Sequence, residues 1–306
     1  MTSHTTYGLL VPCRNGARYL PRLFDSMRAQ TRPFDQFWFF DDGSDDDSGA
    51  LAERAGARVI RADRSGGPSA ARNRLAAECN CTWLHFHDAD DTMAPNYLER
   101  ISSFASEAID LVVCDMLWIE EATGRVDNLW RYDQAALTRH PAASLLVNTI
   151  GGINGLYRRA PFLAAGGFDE SLTYWEDMEL NLRLFARGIR CAVVNEDLVT
   201  AYRRTASYSN SNLGEVWRVK LRIMRSLLAQ ADAELKATIA REAETIADRF
   251  ALLDSWHDVP TALALGVEAG GDPPATRSLA LRLLKHVLPR RWSFRLQHYR
   301  RRRETR

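Results

Sequence analysis

Through its first two-thirds the chain carries short apolar runs that stop abruptly at polar turns, and beyond them apolar residues recur at helical spacing. Residues 8–11 (Gly-Leu-Leu-Val) predict a short buried strand, followed by Asn15 as a helix cap and by Leu20, Leu23, Phe24 and Met27 on one helical face. The aromatic run at residues 37–40 ends at Asp41-Asp42-Gly43-Ser44, a buried strand running into a turn. Residues 57–60 predict a third strand, residues 69–79 a helix opened by the turn Gly66-Gly67-Pro68, and residues 83–86 a strand that stops before Asp88. Residues 111–114 continue the sheet, and residues 178–186 predict a helix with Leu180, Leu184 and Phe185 as apolar positions.

Such alternation predicts an α/β fold with a Rossmann-like, mostly parallel sheet flanked by helices. Ligands of such sheets bind beyond the carboxyl ends of the strands, where the loops after Val11, Phe40 and Phe86 converge. From residue 213 onward, Trp217, Leu221, Met224 and Leu228, then Leu235, Ile239, Ala243, Ile246 and Phe250, mark two amphipathic helices. The expected organisation is an α/β domain over residues 1–212, its two halves meeting near residue 115, and a helical region over residues 213–306. Residues 270–274 read as a linker before a last helix.

With 306 residues and 46% hydrophobic content the chain buries a full core, and no apolar run approaches the roughly 20 residues that cross a bilayer. No signal-peptide pattern is visible, and the five cysteines lack metal-ligand spacing, so a cytoplasmic protein without disulfides is expected. The net charge of +1 conceals an uneven distribution, because residues 277–306 hold eleven of the 40 Lys and Arg and one of the 39 acids. Within that basic tail, about residues 275–306, Leu279, Leu283, Leu284, Val287 and Leu288 form an apolar stripe, and Trp292, Phe294, Leu296 and Tyr299 interleave with arginines. Peripheral contact with an anionic membrane, at its inner face, fits this pattern, as does a packed helix with a solvated basic end; nucleic acid is not the expected partner.

The densest chemistry is His87-Asp88-Ala89-Asp90-Asp91, placed directly after a strand. Three carboxylates in four residues repel one another unless a cation gathers them, and Mg²⁺ or Mn²⁺ is commonly held by one or two carboxylates together with nucleotide phosphates. A solvated acidic turn accounts for the pentapeptide equally well. Asp41 and Asp42 end another strand, and Arg72 and Asn73 stand in the first turns of a helix; carboxylates suit a base N–H and an arginine suits a base carbonyl or a phosphate. Neither G-x-G-x-x-G nor a P-loop lysine is present, which argues against dinucleotide or ATP-cleaving chemistry. Gly151-Gly152-Ile153-Asn154-Gly155 fits either close approach to an acceptor sugar or an ordinary turn, Trp175 either an acceptor platform or packing, and His85 and His87 core or surface positions rather than metal ligation.

Taken in order, Val11-Pro12-Cys13-Arg14-Asn15, Asp41-Asp42-Gly43-Ser44, residues 66–73, Asp88-Ala89-Asp90-Asp91, Gly166-Gly167-Phe168-Asp169-Glu170, Trp175-Glu176-Asp177 and Tyr202-Arg203 resemble the inverting family 2 glycosyltransferases of the GT-A fold. The resemblance covers the first two-thirds of the chain. It implies a UDP- or dTDP-sugar donor and a divalent cation, Mn²⁺ or Mg²⁺. Pro12 and Asn15 match the first nucleotide loop, Asp41 and Asp42 the base contacts with Arg72 nearby, Asp88 the ribose contact and Asp90 the metal position of a D-x-D motif. Asp91 supports these, Asp177 matches the general base, and Glu176 stands beside it.

Two departures bear on mechanism. Many relatives carry a histidine after the position of Tyr202-Arg203, whereas this chain reads Arg204-Thr205-Ala206-Ser207, leaving Arg203 or Arg204 to supply charge there. The Q-x-x-R-W element of processive synthases is absent, which favours transfer of single sugars. The resulting expectation is an inverting transferase that moves a hexosyl, deoxyhexosyl or N-acetylhexosaminyl group to a saccharide or lipid-linked acceptor in bacterial surface-polysaccharide assembly. A nucleotidyltransferase and a non-catalytic sugar-nucleotide or glycan-binding module are the competing readings; oligomeric state is not legible.

Overall fold

A computed structural model describes residues 5–204 and 212–271. Strands β1 (Tyr7–Cys13), β2 (Gln36–Asp41), β3 (Arg58–Arg61) and β4 (Trp83–Phe86) form a parallel block ordered β3-β2-β1-β4. Leu9, Leu10 and Val11 are fully buried, because β1 is covered on both faces and a doubly covered strand reads as an unbroken apolar run. Helices α1 (Leu20–Arg28), α2 (Ser48–Arg54) and α3 (Pro68–Glu78) make the connections. Helix α1 turns Leu20, Leu23 and Phe24 inward, as its spacing predicts. Asn15 is not its cap: the helix begins at Leu20, and Asn15 lies in a left-handed turn at φ +53°. The sheet order reverses between β1 and β4, the kind of switch point at which doubly wound sheets open a crevice.

The second half follows with β5 (Thr92–Met93), α4 (Tyr97–Ser102), β6 (Leu111–Glu120), β7 (Arg125–Trp130), α5 (Gln134–Arg139), α6 (Pro141–Val147), β8 (Gly155–Arg158), α7 (Arg159–Ala164), α8 (Glu176–Ala186) and β9 (Cys191–Arg203). Strand β8 runs antiparallel between β4 and β6, β9 runs parallel to β6, β5 runs antiparallel to β9, and β7 folds back on β6. The sheet is therefore mixed, ordered β3-β2-β1-β4-β8-β6-β9-β5 with β7 beside β6. Strand β6 extends beyond the apolar block 111–114 because its burial fades after Met116, so its outer residues no longer announce a core strand. The register between β6 and β9 shifts around Asp115, a bulge that bends the long pair.

Helices α9 (Leu213–Leu227) and α10 (Ala233–Leu252) are the two amphipathic helices expected, and α11 (Val259–Glu268), too evenly apolar to show a stripe, was not anticipated. The chain divides into compact units Met1–Thr238 and Ile239–Arg306. Within the second, Ile239, Ala243, Ile246 and Phe250 are buried, and Gly266 lets α11 approach α10, since a Cβ there would stand 3.6 Å from Ala243 Cβ. The basic tail lies outside the described residues. Among those described, no helix is long and apolar enough to cross a membrane.

One turn fixes how α8 meets the parallel block. Asn73 on α3 accepts from Phe168 N–H (2.8 Å) and donates to Phe168 O (2.9 Å), while Arg183 on α8 donates to Gly167 O (2.8 Å). Gly167 sits at φ +69°, and a Cβ there would strike Asn73 Oδ1. Gly167→Ala should therefore lower unfolding stability in urea by about 1–3 kcal/mol, whereas Gly188→Ala, with open space around its Cβ, should cost less.

Candidate active site

The loops after β1, β2 and β4 interlock before any ligand is considered. Asn15 N–H donates to Ser44 Oγ (3.0 Å), and Asn15 Oδ1 accepts from Asp45 N–H (2.7 Å), so the residue expected to cap α1 instead joins the first two loops. Pro12 pairs with Phe40 past the last residue matched to β4, where a missing N–H interrupts no ladder to that strand. Asp41 closes its own turn by accepting from Ser44 N–H (3.0 Å). Asp42 accepts from Gly66 N–H (2.8 Å), Gly67 N–H (3.1 Å) and Ser65 Oγ (2.6 Å), and so moulds the turn that opens α3.

Arg72 is expected beside Asp41 and is found elsewhere. Its guanidinium, 5% exposed, donates from Nη2 to Asp88 Oδ1 (2.8 Å) and from Nη1 to Glu176 Oε1 (2.9 Å). Burial opposes its charge, yet Asp88, Asp177 and Glu176 outweigh that cost and raise its pKa. The neighbouring carboxylates come from the end of β4 and the first turn of α8, where the helix dipole favours acids. Gly152 closes the cluster: a Cβ there would lie 3.8 Å from both Arg72 Nε and Asp177 Oδ1, so this backbone lies against the carboxylates.

Asp177 is half-buried as a residue, but its Oδ1 is sealed from solvent and has no hydrogen-bond partner. Burial, then the adjacent Glu176, push its carboxyl up to about 7, against the pull of Arg72. A carboxyl raised toward neutrality, with a buried oxygen beside a guanidinium, fits the general-base position expected from the sequence.

Asp90 and Asp91 follow on the same loop and differ sharply. Asp91 is buried and accepts from Tyr202 N–H (3.0 Å); burial, then Asp88, hold its carboxyl well above the usual range, as befits a supporting residue. Asp90 keeps its side chain 35% exposed and pairs with the Arg204 guanidinium. Among the described residues no three His, Cys, Asp or Glu gather as a metal site, so a divalent cation here would need other oxygens besides those of Asp90. Asp90 suits that arrangement, since it already draws a cation and a diphosphate brings the missing ligands.

Two candidates lie away from this centre. Arg203 turns to Asp127 on β7 and over the Trp118 ring (5.1 Å), so Arg204 is the arginine that reaches Asp90. Trp175 donates from its indole to Val216 O (2.7 Å) on α9 and lies 6.0 Å from the Trp217 ring, contacts that fit the packing alternative. Its backbone is left-handed (φ +63°), an uncommon state for a bulky residue and one held at the entrance to Glu176-Asp177. His85 and His87 form a buried chain with Tyr97, the core role expected of them; burial lowers His87 to about 4. Sequence reading missed Arg18, Tyr19, Arg22 and Glu121, although the i, i+4 spacing of Arg18 and Arg22 was a usable signal.

Comparison with known proteins identifies the family and the fold. The family model for glycosyl transferase family 2 matches residues 9–163. The chain is 27% identical over 269 residues to the succinoglycan biosynthesis protein ExoU of Rhizobium meliloti, covering 80% of this chain and 76% of ExoU. It is 29% identical over 216 residues to a pre-mycofactocin glycosyltransferase of Mycobacterium tuberculosis, covering 66% of this chain and 44% of that protein. The fold matches Staphylococcus aureus TarS 1-349 in complex with UDP-GlcNAc (TM-score 0.65, 20% identity, 87% of this chain and 81% of that one). It also matches the mannosyltransferase PcManGT of Pyrobaculum calidifontis in complex with GDP-Man and Mn²⁺ (TM-score 0.55, 17% identity, 96% and 84%). The architecture is thus the GT-A fold, and with more than half its length under the family model the chain belongs to glycosyl transferase family 2.

Proposed function

We propose that the chain is an inverting glycosyltransferase that moves a single sugar from a UDP- or dTDP-sugar to a saccharide or lipid-linked acceptor in bacterial surface-polysaccharide synthesis. The observation that carries the mechanism is Asp177, raised to about 7 with a buried, unpartnered oxygen beside Arg72 and Asp88. ExoU is a succinoglycan biosynthesis protein and TarS 1-349 binds UDP-GlcNAc, which supports a polysaccharide setting and a UDP-sugar donor.

Inversion needs a base on the face of the sugar opposite the leaving diphosphate, and Asp177 takes the acceptor hydroxyl proton as its oxygen attacks the anomeric carbon. Arg72 holds Asp88 and the Asp177 turn in one register, so the ribose contact and the base keep a fixed separation. Asp41, at the carboxyl end of β2, would meet the nucleobase, and Asp42 shapes the adjoining turn. Asp90 is the residue that would hold a divalent cation, with phosphate oxygens completing its shell; such a cation supplies neutralisation of the leaving diphosphate.

Asp177→Asn should reduce transfer by about 10²- to 10⁴-fold while Mn²⁺-dependent UDP binding, measured by calorimetry, persists. Transfer at the parent rate removes Asp177 as the base. In the parent enzyme, kcat/KM should climb as pH rises and level off above about 7, because the deprotonated carboxylate is the active form.

The same shift fixes a stability effect. The folded protein holds its Asp177 proton to about pH 7 while the unfolded chain releases it near pH 4, so ionising this group costs stability progressively across that interval. Asp177→Asn should therefore gain roughly 1–3 kcal/mol at pH 8 and nothing near pH 4, read from denaturant midpoints at both values.

A further inference from the structure

The corner around Asp90 holds more positive charge than its acids balance. Arg204 pairs with Asp90, places Nε 3.5 Å from Glu121 Oε2 and lies 4.0 Å from the Tyr19 ring centroid. Arg22 donates from Nη1 to Glu121 Oε1 (2.9 Å) and from Nη2 to Asp90 O (2.6 Å), and stacks 3.6 Å over Tyr202. Arg18 lies 4.4 Å from the same Tyr19 ring, and Arg18, Tyr19, Arg22 and Glu121 line a cavity of about 300 Å³. Three guanidiniums thus gather near Asp90 and Glu121, a setting that suits an anion. Burial, then Arg22 and Arg18, depress the Arg204 pKa, as crowding by like charge requires.

The two arginines that grip this loop differ in what they hold. Arg22 binds the main chain of Asp90 and is pinned to Glu121 and Tyr202, which makes it part of the frame. Arg204 binds the side chain of Asp90, the atoms that a divalent cation needs. A cation at that carboxylate would meet the guanidinium at contact distance, and like charges there repel unless an anion comes between them. A diphosphate is such an anion, and the planar fork of an arginine fits its oxygens as well as it fits a carboxylate.

We propose that Arg204 is the resident counter-ion of Asp90: it occupies the carboxylate in the nucleotide-free protein and passes to the donor's diphosphate when a divalent cation takes its place. The inference rests on the transferase reading above and adds an order of events. Cation and nucleotide enter together, because each removes the obstacle to the other, and by linkage each tightens the other by the same factor. Arg204 acts here as a binding and gating residue; Asp177 remains the base.

The test uses the full chain, titrated with Mn²⁺ in the absence and presence of saturating UDP, with free Mn²⁺ read by electron paramagnetic resonance and UDP binding by calorimetry. Arg204→Ala is expected to bind Mn²⁺ about tenfold more tightly than the parent without UDP, and its Mn²⁺–UDP coupling factor to fall at least about tenfold. Arg204→Lys, which keeps the charge and loses the fork, should fall between them. Arg203→Ala, whose partner is Asp127, should match the parent. Thermal unfolding confirms that each variant is folded, and the lysine variant keeps the comparison open if the alanine variant is not. Unchanged or weaker Mn²⁺ binding without UDP in a folded Arg204→Ala or Arg204→Lys, or an unchanged coupling factor, overturns the proposal. A parent protein that binds no UDP with Mn²⁺ overturns the transferase reading as well, whereas normal parent binding with an indifferent Arg204 variant sinks the counter-ion role alone.

Discussion

A guanidinium removed from water must be enclosed by opposite charge, and Arg72 meets that demand with carboxylates from two distant parts of the chain. Asp88 follows β4 and Glu176 begins α8, so one buried cation joins the parallel block to the half that carries Asp177. Breaking such a pair is far more costly than the pair is stabilising, which makes it a means of holding geometry rather than a source of net stability. Asn73, the next residue on α3, ties Phe168 by two hydrogen bonds, so a single helical turn sets both the charge cluster and the turn that leads to it.

The remaining loops are braced by short polar contacts of the same kind. Asn15 links the first loop to the second, Asp42 moulds the third, and Asp91 holds the end of β9 through Tyr202 N–H. Strand ends deliver the loops, and side-chain carboxylates fix them to one another, a division of labour that places functional groups on loops without leaving them loose. Glycine contributes where backbone must come close: Gly167 against Asn73, and Gly152 against Arg72 and Asp177.

Much of this was legible because burial on both faces writes strands as plain apolar runs. Strands β1, β2 and β4 and helices α1, α3 and α8 show themselves that way, and their ends point to Asp41, Asp88 and Asp177. Strands β7, β8 and β9 escaped because an exposed edge such as β7, or a long bent strand interrupted by Asn195-Glu196-Asp197, carries no such run. The partners of charged residues escaped for a different reason. Nothing in the spacing of Arg72 or Arg204 tells which of many acids each will meet, since those contacts span 104 and 114 positions of sequence to Glu176 and Asp90 and depend on the completed fold. Trp175 shows the same limit: an aromatic before two acids reads equally as a sugar platform or as packing, and its contacts with Val216 and Trp217 depend on α9.

Burial, with Glu176 beside it, raises the Asp177 carboxyl against the pull of Arg72, and donor binding must respect that balance. One guanidinium faces Asp88, Glu176 and Asp177; its direct partners are Asp88 and Glu176, while Asp177 is sealed at Oδ1. A donor diphosphate adds further negative charge to the same cleft and, unbalanced, would drive the Asp177 carboxyl higher and leave it protonated when a base is needed. Positive charge at the Asp90 corner, from Arg18, Arg22 and Arg204 and from a divalent cation when bound, offsets that addition. On the proposed mechanism, neutralising a leaving diphosphate and keeping Asp177 ionised are therefore one electrostatic problem, and a chain that lost the first would lose the second even with Asp177 intact.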